Sequence, residues 1–176
     1  MRFDISRDLL SRSGEVLDDS TTTTFGRLRA LSLESGHLFA PAVAIDLLSR
    51  RDHSEAELRR KLASRGFDAS AIAHALQRVQ QRDYQSDQRF AASWIRSRMG
   101  GSGVSRNSLL AGLARRGVDR ETAARAVTRY EEDNPECFSR ALSAALRTIE
   151  TDDSVTKMRK LLRRGFDVVE IRRILA

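Results

Sequence analysis

The chain has 176 residues, 40% of them hydrophobic and 31% charged, with two prolines, one cysteine and a formal net charge of +7. That composition fits one ordinary domain or a compact set of modules, and it excludes a wholly disordered chain. No run of about eighteen apolar residues is present to span a membrane, Met1 to Ser20 lacks the apolar stretch of a signal peptide, and a lone Cys137 leaves no intramolecular disulfide, so a reducing cytoplasm is expected.

Along the chain, residues 1–39 read as a loosely ordered tail. Asp18, Asp19, Ser20 and the run Thr21 to Thr24 are poor in apolar groups, while Leu28, Leu31, Leu33, Leu38 and Phe39 suit a short helix or a strip lying against the first repeat. Pro41 is placed to open the first helix, with Ile45, Leu47 and Leu48 on its apolar side. Further helices are predicted over 55–65 and 69–82. Ser86 and Asp87 open another, with Phe90, Ala91, Trp94 and Ile95 at helical spacing. Gly100-Gly101-Ser102-Gly103 breaks the chain before the helix that begins after Ser105. Asn134, Pro135 and Glu136 supply an N-cap, a first-turn proline and a first-turn acid for a helix striped by Phe138, Leu142, Ala145, Leu146 and Ile149. The expected fold is all-α: about nine helices, as three tandem three-helix repeats over 40–83, 84–133 and 134–176, forming an elongated, curved helical array. Trp94 and the phenylalanines fall inside the apolar stripes and read as core rather than as a base-stacking platform.

One phrase recurs three times: LRRKLASRGFDASAIAHAL from Leu58, LLAGLARRGVDRETAARAV from Leu109 and MRKLLRRGFDVVEIRRIL from Met158. Its glycines, Gly66, Gly117 and Gly165, succeed one another at 51 and 48 residues, the period of a repeat architecture. Ser54, Ser105 and Asp153, twelve residues earlier, are N-cap types, and Glu57 completes a capping box with Ser54. Each glycine suits the left-handed position past a helix end. The apolar residue after it (Phe67, Val118, Phe166) should touch Leu62, Leu113 or Leu161 and staple onto Ile72, Ala123 or Ile171. Asp68, Asp119 and Asp167 then cap the next helix.

The residues offer little catalytic chemistry. His37, His53 and His74 have no ligand spacing and no cysteine near them, so no metal or cofactor is expected, and His53 before its N-cap reads as solvated. Cys137 beside Phe138 reads as a buried structural thiol. The GGSG segment lacks the lysine and Ser/Thr of a phosphate loop. The charge is more telling: residues 1–40 carry −1 and residues 41–176 carry +8, and 28 of the 31 cations are arginine. Such a field favours nucleic acid or an acidic protein surface.

SEAELRRKLASRGFDASAI, DYQSDQRFAASWIRSR and SLLAGLARRGVDRETAARAV together resemble the RecX family of bacterial recombination regulators, from about Ala40 to the C-terminus. KMRKLLRRGFDVVEIRRIL strengthens the likeness, since that family is similarly built of three tandem three-helix repeats. GGSGVSRNSLL departs from it where a basic linker is usual, leaving Arg106 as the main remnant. The resemblance implies a cytoplasmic, monomeric, non-enzymatic protein. It would bind the RecA recombinase and its filament, and DNA weakly, and restrain ATPase, strand exchange and coprotease activity by lodging in the filament groove or blocking extension. Charge clustering nominates the contacts: Arg59, Arg60 and Lys61; Arg96 and Arg98; Arg106; Arg115 and Arg116; Lys157, Arg159, Lys160, Arg163 and Arg164. Stacked repeats would align these along one surface. Arg65, Arg116 and Arg164, each just before a repeat glycine, have equal claims as helix-end caps. Two rival readings stand beside this one. Leu62, Gly66 and Ile72 have helix-turn-helix spacing, which suits a direct DNA-binding protein; a plain helical scaffold for another acidic partner is the third.

Overall fold

The computed structural model describes residues 25–100, 103–151 and 153–175, and among these it contains nine α-helices and no strand. The chain divides into two compact units at the Gln85–Ser86 boundary. The first unit holds α1 (Phe25–Arg50), α2 (Glu55–Ala63) and α3 (Ala69–Gln81). The second holds α4 (Asp87–Met99), α5 (Arg106–Ala114), α6 (Arg120–Asp133), α7 (Cys137–Arg147), α8 (Ser154–Arg163) and α9 (Val168–Leu175). No helix among the described residues is long and apolar enough to cross a membrane.

In the first unit α1 lies along α3. Ala40, Ala44 and Leu47 bury against Ala71, Ile72, Ala75, Leu76 and Val79, with Leu58 and Leu62 of α2 closing the cluster. The helices approach closely where a β-carbon on Gly36 would stand 3.2 Å from that of Ala71. Pro41 does not open this helix as the sequence suggested; it lies inside α1, which runs from Phe25. The expected tail therefore overlaps a helix from residue 25 onward, and its remainder, residues 1–24, is outside the described residues. An internal proline removes the donor that the His37 carbonyl would accept, at a cost of about 3 kcal/mol. Burial of Ala40, Ala44 and Leu47 against α3 carries the helix past it.

The second unit has two apolar clusters. Phe90, Ala91, Ile95, Leu109, Leu113, Val118, Ala123, Val127, Cys137 and Phe138 form one, and Leu142, Ala145, Ile149, Leu161, Phe166 and Ile171 anchor the other. Met99 packs against both. The C-terminus of α8 meets the N-terminus of α5: the hydroxyls of Ser105 and Ser108 donate to the Arg164 carbonyl at 2.7 and 2.8 Å. Ser105 also caps its own helix, accepting from the Ser108 amide at 3.2 Å. Gly100 ends α4 in a right-handed conformation, and Gly103 is left-handed at φ +79°. Of the GGSG break, Gly101 and Ser102 fall outside the described residues.

The recurring phrase folds identically in its three places. Gly66, Gly117 and Gly165 have φ of +87°, +79° and +80°, a region where a β-carbon is strained. The amides of Phe67, Val118 and Phe166 reach back to the carbonyls of Leu62, Leu113 and Leu161 at 3.2–3.3 Å, while each glycine amide bonds three residues back at 2.8–2.9 Å. That pair of bonds is the Schellman ending. Leu62, Leu113 and Leu161 are fully buried, as are Ile72, Ala123 and Ile171 beyond the turn or nearly so. Asp68, Asp119 and Asp167 accept from the first amides of the next helix. Truncating a buried leucine costs about 2–5 kcal/mol and losing a cap about 1 kcal/mol. The caps therefore set where helices start and stop, and the leucines supply most of the stability.

A second boundary differs from expectation. Asn134 does not cap α7; its side-chain amide donates to the Tyr130 carbonyl at 3.0 Å and closes α6 instead. Pro135 and Glu136 form a turn, and α7 begins at Cys137 with no side-chain cap bond.

Candidate functional site

The nominated cations sit on the helices that carry the repeat phrase and on α4, and the structure sorts them by what their heads already touch. Arg59 donates to Glu55 at 2.8 Å, and this bond outweighs burial in holding the Glu55 carboxyl below its ordinary range. Arg106 is paired with Glu131 and donates to the Thr128 hydroxyl at 3.0 Å. The guanidinium of Arg98 lies 5.4 Å from the Trp94 ring centroid. That of Arg116 lies 4.7 Å from the same ring and donates to the Gly112 carbonyl at 2.9 Å. Arg164 donates to the Ala145 carbonyl at 3.2 Å and the Thr148 hydroxyl at 2.8 Å, capping the end of α7. The remaining candidates are Arg60, Lys61, Arg96, Arg115, Lys157, Arg159, Lys160 and Arg163. None of these has an ion-pair partner among the described residues; Lys61 and Lys157 are half-buried and the others exposed.

The arginines preceding the glycines thus act as caps, in two ways. Arg65 and Arg116 each donate to the carbonyl four residues back in their own helix, at 3.3 and 2.9 Å. Arg164 reaches a neighbouring helix. A cation at a helix C-terminus also meets the negative end of the backbone dipole.

Trp94 is core, as its spacing suggested. It is half-buried against the first cluster of the second unit and lies on Gly112, where a β-carbon would stand 2.3 Å from Cη2. Gly112 is the residue that makes room for it.

Two surface grooves among the described residues of the second unit hold cations. One, of about 270 Å³ between α4 and α6, brings Arg96 together with Arg125, Arg129 and Tyr130. Arg125 is paired with Glu121 at 2.7 Å and Arg129 with Asp133 at 3.4 Å. The other, of about 370 Å³, is lined by Tyr130, Cys137, Arg140 and Arg147. Sequence clustering passed over Arg125, Arg129, Arg140 and Arg147 because they lie outside the repeated basic cluster. The i,i+4 spacing of Arg125 with Arg129 was the signal available.

The histidines depart from expectation. His53 is not solvated: it is 3% exposed, its Nδ1 is 3.1 Å from Glu57 Oε2, and its carbonyl accepts from the Gln85 amide at 3.3 Å. Burial lowers its basicity against the opposing pull of Glu57. A position just before an N-cap is normally open to water, but here Glu57 of α2 and Gln85, in the segment after α3, both bond to it. His37 and His74, 37 residues apart in sequence, meet across α1 and α3 with ring centroids 5.2 Å apart. Among the described residues no three His, Cys, Asp or Glu side chains are grouped to hold a metal ion. Cys137 is buried, and desolvation raises its thiol pKa, so it stays protonated and structural.

Residues 40–78 match the RecX first three-helix domain and residues 86–127 the second. The chain is 38% identical over 135 residues to a regulatory protein RecX of Xanthomonas campestris pv. campestris, covering 73% of this chain and 81% of that one. It is 34% identical over 138 residues to that of Chromohalobacter salexigens, covering 76% and 88%. Over 124 residues it is 34% identical to that of Amycolatopsis mediterranei, covering 70% and 71%. The fold is similar to the crystal structure of RecX from Lactobacillus salivarius, with a TM-score of 0.67 at 18% identity over 81% of this chain and 96% of that one.

Proposed function

The chain belongs to the RecX family, and from that membership we propose that it binds the RecA recombinase and the RecA–DNA filament and restrains ATPase, strand exchange and coprotease activity. The observation that carries this reading is the 38% identity to a regulatory protein RecX over most of both chains. In this reading the protein is a cytoplasmic, monomeric regulator without chemistry of its own, and its three-helix sets are three tandem repeats over 40–83, 84–133 and 134–176. A protein of this kind acts by occupying a surface, so its energetics are those of an interface rather than a pocket.

The contacts we assign to the filament are the cations whose heads are unengaged: Arg60, Arg96, Arg115, Arg159, Lys160 and Arg163, with Lys61 and Lys157 beside them. Arg59, Arg98, Arg106, Arg116 and Arg164 first serve the fold, so their loss mixes stability with binding. Each unengaged cation that meets a phosphate contributes about one counterion to the salt dependence.

The test is the ATPase rate of RecA on single-stranded DNA with this protein titrated in below one copy per RecA. A steep fall at low ratio supports a filament regulator that blocks growth. A fall only at ratios that coat the DNA means competition for the strand. No change, together with sequence-dependent duplex binding, replaces the reading with the helix-turn-helix alternative; no change and no nucleic-acid affinity leaves a scaffold.

A further inference from the structure

A groove of about 350 Å³ runs along the seam of α1 and α3 in the first unit, and its two walls differ in kind. The α1 wall presents Leu38, Pro41 and Ile45 beside His37, with Leu38 52% and Ile45 39% exposed. The α3 wall presents His74 and Arg78, four residues apart on one helix face, with Arg82 just past the helix end. Among the described residues no acidic side chain lines the groove.

Elsewhere in this unit three exposed arginines find carboxylates, Arg50 with Asp46 at 3.1 Å, Arg51 with Glu57 at 3.2 Å and Arg59 with Glu55 at 2.8 Å, whereas among the described residues Arg60 and Arg65 do not. Among the described residues Arg78 and Arg82 have no such partner. Two unengaged guanidinium groups thus face exposed aliphatic side chains across a groove about two helical turns long. We propose that this groove is the docking site of an acidic amphipathic segment of a partner protein, a helix of about two to three turns with apolar residues on α1 and carboxylates on Arg78 and Arg82.

Charge complementarity selects the occupant. Both carboxylates and phosphates pair with arginine, but the α1 wall is mainly aliphatic. The His37 Nε2 in it already lies 2.8 Å from the Ser70 hydroxyl, so a phosphate chain would leave Leu38 and Ile45 uncovered. An amphipathic helix matches both walls at once: its apolar stripe removes Leu38 and Ile45 from water while its acids accept from the arginines. None of the cations assigned to the filament lines this groove, so the inference stands apart from the RecA reading.

The experiment is fluorescence anisotropy with the full chain and a labelled synthetic peptide of about 14 residues, leucines at i, i+3, i+4 and i+7 and glutamates between. A scrambled peptide of equal composition and a labelled oligo-dT are the comparison probes. The patterned peptide should bind at least about tenfold more tightly than the scrambled one. The Arg78→Glu/Arg82→Glu pair and Ile45→Asn should each weaken it by about tenfold or more. Unchanged melting temperatures show that these variants stay folded, and oligo-dT affinity should change by less than about twofold. Equal binding of both peptides, or no binding of the patterned one, overturns the proposal. So does a loss confined to the arginine pair that oligo-dT shares, which would make the groove a phosphate site.

Discussion

Gly112→Ala sets two effects against each other, and the structure decides the winner. Gly112 is inside α5, where alanine is favoured over glycine by about 1 kcal/mol. On that ground alone the substitution stabilises. The new β-carbon, however, would stand 2.3 Å from Cη2 and 2.9 Å from Cζ2 of Trp94, against an ordinary carbon contact of about 3.5–4.0 Å. The ring is not a loose end: Arg98 and Arg116 lie at 5.4 and 4.7 Å from its centroid, and it packs on the cluster that contains Leu109 and Leu113. Overpacking of this kind costs about 1–3 kcal/mol. Taking the upper end for so close an approach, the net loss is about 2 kcal/mol, or about 8–16 °C in Tm for a unit of this size. Trp94→Phe removes the ring atoms that clash, so in that background Gly112→Ala should stabilise by about 1 kcal/mol, a coupling of about 3 kcal/mol. Denaturant melts of the four proteins monitored by far-ultraviolet circular dichroism measure the cycle. If Gly112→Ala melts at or above the parent with Trp94 in place, or loses the same amount in both backgrounds, the packing argument is wrong.

Gly66→Ala and Gly165→Ala both force alanine into a left-handed conformation, costing about 1–2 kcal/mol each, but they should not cost the same. A β-carbon on Gly66 meets nothing within 4 Å, whereas one on Gly165 comes within 2.9 Å of the Ser105 hydroxyl; thermal melts should show Gly165→Ala lower by about a further 1 kcal/mol or more. Ser105→Ala loses a cap and a donor to the Arg164 carbonyl, about 2–3 kcal/mol in a urea titration, whereas Arg120→Ala at an exposed helix position should stay within about 0.5 kcal/mol of the parent. His53 is held below its ordinary 6.5 chiefly by burial, so the unfolded chain binds a proton that the folded chain resists. Its contribution is intact above that value and is lost as pH falls below it, at no more than about 1.4 kcal/mol per pH unit. Melts from pH 7.5 to 5.5 should fall more steeply for the parent than for His53→Gln; equal slopes refute the assignment.

Helix ends were legible because they rest on local chemistry. A Schellman turn needs a glycine, an apolar residue after it and a leucine four residues before, and these lie within one short stretch of chain at Leu62–Phe67, Leu113–Val118 and Leu161–Phe166. The long α1 was not legible because two local signals opposed it. Pro41 reads as a start, and the polar run before residue 25 reads as a tail; what overrides Pro41 is burial against α3, a partner some 30 residues away. Asn134-Pro135-Glu136 failed because its signals were ambiguous in direction, since Asn134 could close the helix before it as well as open the one after.

The candidate surface shows where local reading stops. Arg65, Arg116 and Arg164 occupy one register of one repeat phrase, and nothing near them in sequence distinguishes their uses. The fold does: Arg65 stays over its own helix, Arg116 lies on Trp94 because Gly112 opens that space, and Arg164 crosses to Ala145 and Thr148 because Ser105 and Ser108 hold its carbonyl beside α5. The last two outcomes depend on a contact from another helix. Charge counting finds which segments are basic, but only the long-range packing decides which cations remain for a partner. By the same reasoning, Arg78 and Arg82 carry meaning that composition could not supply. They lie outside the repeated basic cluster, and become distinctive only when α1 sets a mainly aliphatic wall opposite them with no acid among the described residues to neutralise either one.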